Sequence, residues 1–209
     1  MYIGRDREFS NKGVKQGITT LTFIKMEPIE DRILDLQIKN FESVYFIPAE
    51  RLEQALTESV IRDVVTKCGV DVQKRAETIS IIQSGAKKIF AILILMRREI
   101  LIRYFIEHDQ FQTEKLDAKL PLSESWLQSL IGERPAKLFC QKQWIFIAPY
   151  FRYDLSHRAL ADDAILPFTS SCCIGSGGFG TVYEVTLDPI HQGVRGVGSI
   201  LLVKSPLFP

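Results

Sequence analysis

The chain has 209 residues, room for one medium domain or two small ones. Hydrophobic residues make up 46% and charged residues 24%, the balance of a globular protein with enough apolar material for a core. A net charge of +1 excludes a strong general pull toward nucleic acid or an anionic membrane, so neither is expected as a partner.

Cys68, Cys140, Cys172 and Cys173 show no CxxC spacing and form no disulfide framework at this size, which points to a reducing, intracellular and cytoplasmic setting. The start, Met1-Tyr2-Ile3-Gly4-Arg5-Asp6, lacks the apolar core of a secretory signal, and Tyr2 stands where N-myristoylation needs glycine. His108, His157 and His191 are far apart in sequence, and no metal-ligand spacing emerges.

Met1 to about Glu27 reads as a polar leader with one short apolar run, Leu21 to Ile24, that could form a strand. From Pro48 the helical period takes over, because proline costs nothing in a first turn. Leu52, Leu56, Val60, Ile61, Val64 and Val65 fall on one stripe, and Gly69 is a plausible stop. Asp71 is a candidate cap for a second helix carrying Val72, Ala76 and Ile79, with Gly85 at or near its end.

The third helical segment, Lys87 to His108, is apolar on more than one face, the mark of a central bundle helix. Its core, Ile89 to Met96, is far shorter than the about 20 apolar residues of a membrane span. Asp117 to Ser125 reads as loop, and Trp126 to Ile131 as one or two helical turns closed by Gly132. Leu138-Phe139-Cys140 and Trp144-Ile145-Phe146-Ile147 are short, aromatic and β-branched, and suit strands or extended packing segments better than long helices. Asp154 to Asp163 is a charged linker, which divides the chain into residues 1–163 and 164–209. The expected class is α+β: a mainly helical region, then a small antiparallel sheet.

The densest signal is Ile174-Gly175-Ser176-Gly177-Gly178-Phe179-Gly180-Thr181-Val182-Tyr183. Its glycine spacing alone fits two unrelated nucleotide folds. A dinucleotide-binding unit would open a helix at the last glycine and place an acid about 20 residues further on. Here the alternating run Thr181 to Leu187 reads as a strand ended by Asp188-Pro189, and no Asp or Glu occurs from Pro189 to Pro209. A Walker loop fails too, because no Gly-Lys-Ser/Thr closes the motif. What remains is strand, glycine turn, strand: a hairpin whose bare main chain lets a phosphate approach its N–H groups. Ile174 and Val182 would flank an adenine, and the apolar, strand-like run Ile200-Leu201-Leu202-Val203 ends in Lys204.

This stretch resembles the start of eukaryotic-type protein kinase domains, with Gly175, Gly177, Gly180 and Val182 matching G-x-G-x-x-G-x-V. More narrowly, the chain is similar to kinase-domain proteins of filamentous fungi that carry a helical region before the kinase domain. That likeness runs through Trp144 to Pro149, His157-Arg158, Ile165 to Phe168 and Asp188 to Gln192. The resemblance implies the beginning of a kinase N-terminal lobe, with ATP as ligand (Mg-ATP in a full-length relative). The implied ATP contacts are Ile174, Gly175, Ser176, Gly177, Gly178, Phe179, Gly180, Val182 and Lys204, and a Ser/Thr-type kinase is favoured.

The departures from the family are large. His-Arg-Asp, Asp-Phe-Gly, Ala-Pro-Glu and the glutamate that would pair with Lys204 are all missing, so no catalytic residue or metal ligand is assigned. The expectation is an ATP-binding fragment without turnover, truncated before its catalytic lobe. The alternative is a non-catalytic helical module that binds a protein partner and keeps the hairpin as a remnant.

Overall fold

The computed structural model describes residues 27–108, 115–151, 160–178, 180–193 and 200–204, the last of these by backbone alone. The class is α+β, as expected. Most of the expected leader lies outside the described residues, Leu21 to Ile24 included.

The described chain opens with α1 (Ile29–Leu34), which buries Ile33. A small hairpin follows, β1 (Ile38–Lys39) and β2 (Tyr45–Phe46), joined through Ser43 at φ 66°. Asn40 holds this hairpin together: its backbone N–H donates to the Val44 carbonyl (2.8 Å), and its Oδ1 accepts from the Val44 N–H (2.9 Å).

The stripe predicted from Pro48 is present but broken. Pro48 precedes α2 (Ala49–Ala55), the chain leaves the helix at Leu56, and α3 (Glu58–Lys67) resumes after Thr57. Leu52, Leu56, Ile61, Val64 and Val65 are buried. Gly69, at φ 86°, takes the left-handed turn that stops α3. Asp71 caps as expected: its carboxylate accepts the Gln73 N–H (3.0 Å) above a short 3₁₀ turn that leads into α4 (Arg75–Gly85).

The expected long third helix is divided. It begins as α5 (Lys87–Leu95), which meets the preceding helical segment at 108°. Arg97, at φ 54°, turns the chain, and α6 (Ile102–Glu107) completes it. Six consecutive α5 residues, Ile89 to Ile94, are buried, so this is the central helix that its all-round apolar character predicts. No single described helix is long and apolar enough to cross a membrane.

The two segments expected as strands or extended packing around Phe139 and Ile145 are helical instead. The chain forms α7 (Glu124–Ile131), then α8 (Glu133–Gln143), then a 3₁₀ turn at Trp144–Phe146. Pro135 falls in the first turn of α8, where its missing N–H is harmless. Ala136, Phe139 and Gln143, the buried residues of α8, recur at helical spacing. That longer period overrides the short β-branched run. The Phe139 ring stacks on Phe105 of α6 at 5.6 Å.

After Phe151 the chain forms a three-stranded antiparallel sheet in the order β3 (Phe168–Gly177), β4 (Gly180–Leu187), β5 (Ile200–Lys204). Val185 and Leu187 are buried while Glu184 is exposed, the alternation of a half-buried strand. The molecule has two apolar clusters of unequal size. The larger unites the helices from Ile33 to Phe146, and the smaller holds Phe168, Val185 and Leu187, with Phe151, Leu166 and Tyr183 against them.

Candidate functional site

The glycine run folds as a β-hairpin tip. β3 and β4 pair down to Gly177 opposite Gly180, with Gly178 and Phe179 as the connecting residues. Phe179 lies outside the described residues. No helix starts at Gly180; it opens β4 at φ 145°, a backbone angle that L side chains rarely adopt. Asp188 closes the far end of β4, its carboxylate accepting the Ile190 N–H at 3.0 Å.

The other glycines are different. Among the described residues, a Cβ built on Gly175, Gly177 or Gly178 would meet no heavy atom within 4 Å, and none of these residues has a positive φ. Neither the conformation nor the packing of the hairpin therefore demands glycine at these three positions. Ser176 and Thr181 pair across the ladder with hydroxyls 3.2 Å apart. Ile174 sits at a register irregularity between Cys173 and Gly175 and is 54% exposed, a large apolar surface beside the open tip.

Lys204 lies in β5, directly after β4 in the sheet, and its register partner is Thr181. Val182 pairs with Gly175 on one side and Val203 on the other. Alternate positions of a ladder belong to opposite faces. Val182 and Lys204 therefore occupy positions of opposite parity, and one nucleotide can lie against only one face. The glycines, Ile174 and Val182 are brought together; Lys204 is on the neighbouring strand, out of phase with Val182 by one residue.

The helical region carries features that the sequence reading did not single out. Asp117, expected in a loop, supplies both carboxylate oxygens to the start of α5: the Lys88 N–H donates at 2.9 Å and the Ile89 N–H at 3.0 Å. Burial pushes the Asp117 carboxyl above its ordinary value, against the pull of those two N–H groups and the Lys88 charge. Burial likewise pushes the Lys88 amine down. An open groove of about 640 Å³, lined by Ile29, Arg32, Val60, Asp63, Lys67 and Glu99 among others, runs beside α1 and α3, away from the glycine tip. Only the folded arrangement joins these residues. Among the described residues, no cluster of three or more His, Cys, Asp or Glu could hold a metal ion.

The chain matches no known protein-family model, no curated protein and no solved structure.

Proposed function

We propose that the β3–β4 hairpin is a nucleotide-binding element of the protein kinase type, with ATP as its ligand. The observation that carries this reading is the trio Gly175, Gly177 and Gly178, whose missing side chains the free fold does not require. Strands favour β-branched residues, and glycine weakens them. Close approach of phosphate to main-chain N–H groups gives these glycines a reason. The exposed Ile174 and the three-stranded order, with the glycine turn between its first two strands, support the same reading. These 209 residues contain no His-Arg-Asp or Asp-Phe-Gly, so phosphoryl transfer is not expected of them.

Calorimetric titration of the full chain with MgATP tests the proposal. The expected dissociation constant is near millimolar, about −4 kcal/mol. Gly177→Val is expected to abolish the signal while leaving the melting temperature unchanged, because its Cβ enters open space. Equal ATP binding by Gly177→Val and the parent chain would end this reading. Lys204→Met decides the part of the lysine: weakened binding keeps Lys204 in the site, whereas unchanged binding removes it and leaves the site to the glycines, Ile174 and Val182.

A second reading, a non-catalytic helical module, is favoured by the groove beside α1 and α3. Hydrogen exchange with and without MgATP separates the two readings. Protection arising at Ile174 to Leu187 supports the nucleotide site, and a chain indifferent to nucleotide supports the module.

A further inference from the structure

His191 lies in the turn after β4 and is only 6% exposed. Its N–H donates to the Asp188 carbonyl (2.9 Å), and its own carbonyl accepts from the Phe151 N–H (2.8 Å). Its ring stands 5.1 Å from the ring of Phe46 on β2, tilted by 46°. Nδ1 is buried and has no hydrogen-bond partner among the described residues. The imidazole thus occupies the seam between the small sheet and the helical region. Other bonds cross that seam: the Phe41 N–H donates to the Phe168 carbonyl (2.9 Å), and Asn40 Nδ2 donates to the Leu166 carbonyl (3.1 Å).

Three charged groups act electrostatically on the ring: Asp188 from its own turn, Lys88 from the start of α5 and Glu50 from α2. Asp188 Oδ1 accepts the Ile190 N–H, and Lys88 has Asp117 and Glu53 as its own counter-charges. Among the described residues, no acceptor is placed at Nδ1.

We propose that His191 is a pH-sensitive clasp whose neutral ring holds the sheet against the helical region and whose protonated ring releases it. Protonation puts a hydrogen on both ring nitrogens, which leaves Nδ1 a donor with no acceptor among the described residues, and brings a charge against Phe46. A buried charge without a partner is costly, and opening the seam to water relieves that cost. One proton is taken up from solvent as the seam opens. The clasp does not depend on nucleotide binding.

Burial holds the imidazole below its ordinary value of 6.5; Asp188 opposes this fall, Lys88 adds to it and Glu50 opposes it. The neutral form is therefore favoured while docked. Its contribution is complete above the ordinary value and is lost as pH falls toward the docked value, by about tenfold in the docking equilibrium per pH unit within that window.

Amide hydrogen exchange on the full chain, corrected for intrinsic rates, reads the clasp between about pH 7.5 and about pH 5.5. Protection of β3 and β4 is expected to fall about tenfold per unit in the window, while α5 keeps its protection. His191→Gln is expected to flatten that response. Sheet and α5 losing protection together, or His191→Gln responding as the parent does, would overturn the proposal. Should His191→Gln fail to fold, the NMR titration of the His191 ring in the parent chain still decides. A midpoint below the ordinary histidine value supports the clasp, and one at or above it refutes it.

Discussion

At Gly85 a single hydrogen stands where any other residue would place a carbon. A Cβ there would lie 2.6 Å from Lys115 Cβ and 3.1 Å from its Cα, so the backbone carrying Lys115 would have to move. Gly85→Ala is expected to cost about 1–3 kcal/mol by overpacking, read as a lowered urea midpoint. This outweighs the about 1 kcal/mol that alanine would bring by helix propensity alone. Gly175, Gly177 and Gly178 of the hairpin are the opposite case, open to substitution without structural loss among the described residues, which makes ligand binding the informative measurement there. Gln143 makes the same point for a polar residue. Its Oε1 accepts the Leu122 N–H (2.8 Å) and its Nε2 donates to the Leu122 carbonyl (3.1 Å), so one buried amide satisfies both backbone groups of a distant loop residue.

Among the elements, α5 depends most on a residue outside itself. Its first turn has no cap from the preceding Ala86, and Asp117 takes that role from 28 and 29 residues downstream. Asp117→Ala is expected to leave two buried N–H groups without their partner and to destabilise the chain by about 1–2 kcal/mol, with Asn recovering part of the loss. Thermal melts of the three chains check this; an unchanged melting temperature for Asp117→Ala would show that the carboxylate is dispensable. The ion pairs Arg62–Glu58 on α3 and Lys137–Glu133 on α8 are exposed, so they contribute little by comparison.

Across the whole molecule, burial is divided unequally. The helical region has a continuous core from Ile33 to Phe146, whereas among the described residues the sheet buries three side chains and leans on Phe151, Leu166 and Tyr183. A small sheet with so little apolar cover is marginal by itself. A polypeptide of residues 27–151 is therefore expected to keep helical circular dichroism and a cooperative melt, and one of residues 160–209 to show neither. Cooperative unfolding of the shorter piece would mean that the seam at Asn40, Phe46 and His191 matters less than the geometry implies.

The chain's own pattern determined the α+β class, the central apolar helix, the caps at Gly69 and Asp71, and the strand beginning at Gly180, because each rests on residues within a few positions of one another. The tertiary structure decided the rest. It made α8 out of a segment that reads locally as strand, because its buried stripe of Ala136, Phe139 and Gln143 finds α5, α7, Phe105 and Leu122 only once the chain has folded back. It put Asp117 at the head of α5, His191 against Phe46, and Lys204 one ladder step away from Val182. Strand register, long-range caps and buried seams are relations between distant residues, and local spacing carries no information about them.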